Sequence, residues 1–278
     1  YPSVKHEYIL IADSDMHVSK KYLNRVMEAF SDEKVGVITC LYHGKTKGKI
    51  TSKLNTMFIN TWFLPSVLIS CAFQPMKYCL GATMIVKRSI LNKIGGFESL
   101  SNHLADDYIL GKLISSLGYK IHLSDYIVEN IVEETSFRNL ILHELRWART
   151  LRRVEPIGYA LTFLTDSLVL GIILGITIYT ITGSLTLLVI PGFLSLILRI
   201  MLHNSSDDIK KQKNNDEILL IPIRDILSFF IRIISYTGNS VKWRNNIFSV
   251  DHLGLMHYKQ VISAHNTNET ENISKSLT

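Results

Sequence analysis

The sequence predicts a mixed α/β domain over residues 1–155, an apolar helical membrane region over 156–240, and a polar cytosolic or flexible tail over 241–278. Three observations predict it. Charged residues run throughout the first 155 positions, yet between Leu161 and Leu202 only Asp166 and Arg199 carry charge. In the first part, short apolar runs of strand length alternate with segments of helical spacing. In the second, one stretch is long enough to span a bilayer's hydrocarbon core, about 30 Å at about 1.5 Å per residue, and another is a second candidate.

In chain order, residues 7–12 (EYILIA) form an apolar run stopped by Asp13-Ser14-Asp15. They read as a buried parallel strand with carboxylates at its C-terminal end. Residues 20–30 place Tyr22, Leu23, Val26, Met27 and Phe30 on one helical side, and residues 35–41 are a second strand. Residues 43–53 carry four lysines and read as an exposed basic loop. Residues 57–73 are apolar but short and contain Pro65, which suits an interfacial or acceptor-groove helix. Residues 80–87 form a strand and 89–94 a short helix stopped by Gly95-Gly96. Residues 106–117 are helical, 119–123 and 127–131 are strands, and 136–153 form a strongly basic helix.

Residues 161–181 and 185–202, the latter bent at Pro191-Gly192, form a spanning hairpin with a three-residue link. Arg146, Arg149, Arg152 and Arg153 precede it, and Lys210, Lys211 and Lys213 follow, so both ends face the cytosol. Residues 218–236 carry Arg224, Asp225 and Arg232, and either span within a bundle or lie in the interface with charges facing water; the second is preferred. From Asn266 the tail reads as disordered. The net charge of +6 suits nucleic acid or an anionic membrane, and the apolar segments select the membrane. Cys40, Cys71 and Cys79 have neither zinc nor disulfide spacing and read as small buried apolar groups.

Four groups could do chemistry. Asp13 and Asp15 offer hard oxygens for Mg²⁺ or Mn²⁺ on a diphosphate, or simply a polar turn before the next helix. Asp106 and Asp107 open a helix, where carboxylates complement the macrodipole; one of them could instead be a general base. His143, Arg146, Trp147 and Arg149 lie on the basic helix. Arg146 could grip a diphosphate, and Trp147 could pack on a sugar or anchor at the interface. Arg152 and Arg153 read as contacts to anionic lipid. Gly81-Ala82-Thr83 and Gly95-Gly96 permit close approach of a ligand.

The order Asp-Ser-Asp, Gly-Gly-Phe, Asp-Asp-Tyr, Arg-Trp and membrane hairpin resembles family 2-type glycosyltransferases with a GT-A (Rossmann-like) fold. Within them it is most similar to the ceramide glucosyltransferases and the related hopanoid-biosynthesis enzymes. The family pattern is three separated aspartates followed by (Q/R)xxRW. Asp13 of IADSDM matches the second aspartate, Asp107 of LADDYIL the third, and Arg146 and Trp147 of HELRWART the closing motif. Trp243 and Arg244 match a Trp-Arg pair near the family's end, and the likeness covers about residues 5–255.

The resemblance implies an inverting, metal-dependent transfer of a glucose-like or N-acetylglucosamine-like sugar from a UDP-sugar to a membrane lipid hydroxyl. The lipid would be ceramide, hopanoid or similar, and the catalytic domain would face the cytosol. Asp107, with Asp106 beside it, would be the base; Asp13 and Asp15 would hold Mg²⁺ or Mn²⁺. Arg146, Trp147, His143, Arg149 and Gly81 would contact the donor. A processive polysaccharide synthase and a catalytically silent membrane scaffold are the alternatives. The chain departs from the pattern at His143, which stands where the motif has Gln or Arg. The family's first aspartate and nucleotide-base pocket are expected upstream of Tyr1. The 278-residue chain by itself is therefore expected to lack transferase activity, with a GT-A domain incomplete at its N-terminus.

Overall fold

A computed structural model describes residues 4–210, 215–243, 246–251 and 254–258. Lys211, Lys213, Arg244 and the tail from Asn266 lie outside the described residues, as does the side chain of Lys210.

Five strands, β1 (Tyr8–Ala12), β2 (Met16–His17), β3 (Val35–Thr46), β4 (Thr83–Lys87) and β5 (Lys120–Val132), form one sheet in the order β1-β4-β3-β5-β2. β4 runs antiparallel to both β1 and β3, while β3 and β5 are parallel. Thus β1, β3 and β5 share a direction, and their C-terminal ends share one edge of the sheet. The run 7–12 is corrected: it pairs antiparallel at the sheet margin rather than lying as a buried parallel strand. Its side chains alternate, with Ile9 buried and Tyr8 and Leu10 each 42% exposed.

β3 is buried on both faces over most of its length. On one face Ile38, Cys40 and Tyr42 pack with Tyr22 and Val26 of α1 (Tyr22–Met27). On the other, Val37 packs with Ile90 and Leu91 of α4 (Arg88–Lys93) and Leu110 and Ile114 of α5 (Asp106–Ser116). Each such side chain contributes about 1.5–3 kcal/mol by leaving water. Gly95 (φ 93°) and Gly96 (φ 69°) close α4 in the left-handed conformation that a side chain would resist. Cys40 and Cys79 are buried and Cys71 is partly so.

The basic stretch 43–53 is corrected. β3 continues to Thr46, and α2 (Ile50–Phe58) starts at once, running through a π turn (59–63) into α3 (Leu64–Phe73). Lys45 on the strand pairs with Glu129, and Lys47 just past its end pairs with Glu133. The strands expected at 119–123 and 127–131 are one strand, β5, with an irregularity of register opposite Cys40–Tyr42.

Two helical stretches among the described residues are long and apolar enough to cross a membrane, Ile50–Phe73 and Leu185–Asp207. The first is also fixed to the α/β domain: buried Asn60 accepts from the Gly44 N–H (2.7 Å) and donates to its carbonyl (3.0 Å). The expected span 161–181 is broken. Pro156–Thr165, which begins as α7 (Pro156–Leu161), meets α8 (Ser167–Thr182) at 62°. At the break, Asp166 accepts two guanidinium bonds from Arg232 at 2.9 Å, and Thr162 Oγ1 accepts a third at 2.7 Å. α9 (Leu185–Lys210) continues through Pro191 as a single helix.

α8 and α9 meet through Gly171 and Gly175, spaced i, i+4. A Cβ at Gly175 would lie 2.1 Å from the Leu188 carbonyl oxygen, and one at Gly171 2.3 Å from Ser195 Oγ. Small residues let the two backbones touch, as at helix interfaces in membranes. Gly175→Val is expected to separate the pair and cost about 3 kcal/mol or more, the upper range of overpacking. Thermal unfolding in detergent checks this, and a melting point equal to the parent's would refute it.

α10 (Ile221–Ser235) overturns the expectation of charges facing water. Arg224, Asp225 and Arg232 are all buried. Arg224 makes two 2.7 Å bonds to Glu144 of α6 (Phe137–Val154) and a third to the Leu54 carbonyl. Asp225 accepts two 2.7 Å bonds from Arg199 of α9. With Arg232 on Asp166, one helix joins α2, α6, α9 and the α7–α8 bend.

The first part of the tail carries regular structure. β6 (Ser240–Trp243), β7 (Asn246–Val250) and β8 (Met256–Tyr258) form a second sheet. Arg152, expected on lipid, donates instead to the Gly238 carbonyl and Asn239 Oδ1, and stacks over Tyr236. The same segment reaches the loop before α5: Leu104 N–H donates to the Gly254 carbonyl (3.3 Å) and Met256 N–H to the Asn102 carbonyl (2.8 Å).

Candidate active site

The acidic residues gather where β1 ends and β4 begins. Asp13 follows β1, and its N–H donates to the Ala82 carbonyl at 3.1 Å, beside the start of β4. Asp15 accepts from Asn130 Nδ2 at 3.0 Å and is thereby tied to β5. Asp106 and Asp107 enter from the first turn of α5. Asp106 Oδ1 accepts from the Asp107 N–H, and Asp107 Oδ1 from the Tyr108 N–H at 2.7 Å. Arg146 comes from α6 and Tyr42 from β3.

These groups feel one another's charge. Desolvation by the surrounding protein, then repulsion from Asp15 and Asp106, pushes the Asp13 carboxyl upward, while Arg146 opposes the rise. Asp107 is raised to about 6, chiefly by desolvation and then by Asp106 and Asp13; N–H bonds from Tyr108 and Gly81 pull the other way. Desolvation lowers Arg146, against the attraction of Asp13 and Asp107. Buried Tyr42 is held well above its usual range by burial and by the same aspartates. A carboxylate that titrates near 6 is placed to take a proton close to neutral pH.

Gly81 lies against a protein group rather than open space. A Cβ there would sit 3.0 Å from Asp107 Oδ2. Gly81→Ala is expected to displace the Asp107 carboxylate by a few tenths of an ångström and lower kcat about tenfold, with melting little changed. Steady-state transfer with a parallel melt checks it; an unchanged kcat would show that the contact is immaterial.

A cleft of about 630 Å³ opens beside Asp15, lined also by His17, Asn55, Asn130, Glu134 and His143. Asp107 and Arg146 are not in its wall. His143 Nδ1 is 2.8 Å from Glu134 Oε1, and its ring meets Trp147 edge-on at 5.6 Å. Trp147 also lies edge-on to Phe58 and Phe63 and packs against the core under the sheet. Arg149 stands apart from the aspartates, donating to the Ser240 carbonyl and lying against Gly238. Glu134, Asn55 and Asn130 are not legible in sequence, because a lone Glu or Asn carries no spacing signal.

For a divalent cation, Asp13 and Asp15 are a fitting hard donor pair: both are exposed, and their mutual repulsion calls for positive charge. Among the described residues no group of three or more His, Cys, Asp or Glu side chains converges.

Fold and site together define an α/β domain with a carboxylate cluster at its strand ends, joined to helices apolar enough for a bilayer. Residues 1–256 match glycosyl transferase family 21, and the chain belongs to that family. It is similar to ceramide glucosyltransferase 3 of Caenorhabditis elegans, at 21% identity over 89% of this chain and 55% of the relative. Ceramide glucosyltransferase 1 of the same organism is 24% identical over 90% and 54%. The chain thus spans about half the length of the curated relatives it matches.

Proposed function

We propose that the protein transfers a hexose, glucose-like or N-acetylglucosamine-like, from a UDP-sugar to the hydroxyl of a membrane lipid such as ceramide, with inversion. The observation that carries this is Asp107: a carboxylate raised to about 6, seated at a helix N-terminus beside Arg146 and Asp13. The names of the relatives support a lipid acceptor over a growing polysaccharide. Strands β1, β3 and β5 running one way, with antiparallel β4 between two of them and the acidic motif at their ends, support a GT-A reading. The arginines flanking the membrane helices support a cytosolic catalytic face.

In the reaction, Asp107 takes the proton of the acceptor hydroxyl as its oxygen forms a bond to the anomeric carbon. The bond from that carbon to the phosphate oxygen breaks, and UDP leaves with the electron pair. Arg146 offers positive charge to the departing diphosphate. Asp13 and Asp15 would hold Mg²⁺ or Mn²⁺, which neutralises charge on the leaving group when bound.

Membranes containing the full-length protein, given radiolabelled UDP-glucose or UDP-N-acetylglucosamine with ceramide, hopanoid or diacylglycerol, should yield labelled lipid. Label in a polymer, or none with any lipid, would overturn the proposal. The base must be ionised, so kcat/KM is expected to fall as pH drops through about 6. A profile flat from pH 5 to 8 would remove Asp107 from that role.

A further inference from the structure

We propose that Glu134 and His143 form a hydroxyl-reading pair for the sugar ring of the donor, with Glu134 as the positioning residue and His143 as the contact. The proposal rests on the glycosyltransferase reading above and concerns the cleft beside Asp15.

Glu134 is anchored more firmly than a surface carboxylate needs. It lies just beyond β5, where α2 grips it at three points. Its N–H donates to Ser52 Oγ (2.8 Å), its carbonyl accepts from Thr51 Oγ1 (2.7 Å), and Oε1 accepts from Asn55 Nδ2 (3.0 Å). Its side chain is only 12% exposed, and the same Oε1 meets His143 Nδ1 at 2.8 Å. An ionised carboxylate can only accept, so Nδ1 carries the hydrogen. In the neutral ring Nε2 is then an acceptor, and His143 lines the cleft. Edge contact with Trp147 fixes the ring further.

The cleft decides which ligand group suits that acceptor. Its wall holds Asp15, Asn55, Asn130, Glu133 and Glu134 with His17, which turns to Glu129 at 3.2 Å, and no lysine or arginine is among its described lining residues. Lys47 offsets Glu133 from outside at 3.0 Å. Beyond Asp15, such a wall gives phosphate no lysine or arginine and matches hydroxyl groups, which donate to carboxylates, amide oxygens and an imidazole lone pair. A permanent cation in place of His143 would suit the diphosphate instead. The pair therefore assigns the sugar ring of the donor, rather than its phosphates, to this cleft.

The test uses membrane-embedded protein, UDP-glucose and the four monodeoxy UDP-glucose analogues, lacking the 2-, 3-, 4- or 6-hydroxyl. His143→Phe is expected to lower kcat/KM for UDP-glucose by about 10–100-fold and to have no effect on the one analogue that lacks the partnered hydroxyl. Glu134→Ala should lose nearly as much, while Glu134→Gln, which can still accept from Nδ1, should restore most of it. Affinity for UDP alone should be the same in all variants. An equal loss across every analogue, or UDP affinity falling in step with UDP-glucose, would overturn the pairing. Equilibrium binding of UDP-glucose against UDP to purified protein reads the same contact without turnover. If the parent binds UDP-glucose with the His143-dependent preference yet labels no lipid, the function proposal fails and the cleft assignment stands. If it shows no preference for UDP-glucose over UDP, the cleft assignment fails.

Discussion

Asp107→Asn is expected to abolish sugar transfer, by roughly 10²–10⁴-fold, and at pH 7 to make the protein harder to melt. Both effects come from one cause. The folded protein raises the Asp107 carboxyl from 3.8 to about 6, with desolvation leading. A carboxylate raised on folding stabilises the native state only while protonated. Its contribution is fully present below the unfolded value near 3.9 and is lost as pH rises through about 6. At pH 7 the ionised group therefore costs up to about 3 kcal/mol, at about 1.4 kcal/mol per pH unit. Asparagine keeps an oxygen for the Tyr108 and Gly81 N–H groups and carries no charge beside Asp106 and Asp13. Melting in detergent should show the variant above the parent at pH 7 and level with it near pH 4, while radiolabel transfer is lost. A variant that melts lower has lost its fold, and one that still transfers has another base.

Arg224→Ala is expected to destabilise the protein by about 3–5 kcal/mol, the cost of stranding one member of a buried ion pair. Arg224 is 1% exposed and Glu144 3%, and two 2.7 Å bonds join them. Without the guanidinium, Glu144 keeps its charge with no water to solvate it, and the Leu54 carbonyl loses a donor. The helices α2, α6 and α10 lose their common link. Replacing both partners, Arg224→Met with Glu144→Leu, should recover most of the loss, because no charge then remains buried. Protein yield in membranes and thermal aggregation in detergent measure both variants. A single variant as stable as the parent would show that the pair contributes nothing.

The same residues show what sequence can and cannot reveal. The helix at α5, its acidic first turn and the glycine stop of α4 are visible because capping chemistry is local. The strand leading to Asp13 is visible in its apolar run, but not its pairing, since its partner β4 starts only at Thr83. Arg224, Asp225 and Arg232 looked solvent-facing because hydropathy weighs a charge without knowing its partner. Their partners, Glu144, Arg199 and Asp166, lie 80, 26 and 66 positions away. Asp13, Asp107 and Arg146 could be named from motif order, but not the field that raises Asp107. Glu134 was invisible for the same reason as the tail sheet: neither has a repeating pattern.

The backbone bonds from Gly254 and Met256 to Leu104 and Asn102 also set an order of events during biosynthesis. The loop leading into Asp106 and Asp107 emerges from the ribosome early, yet two of its partners are made about 150 residues later, after every helix of the membrane region. Long-range contacts of this kind close last in folding. The acidic turn therefore acquires its final support only when the helical hairpin is already in place and the chain has come back to the α/β domain.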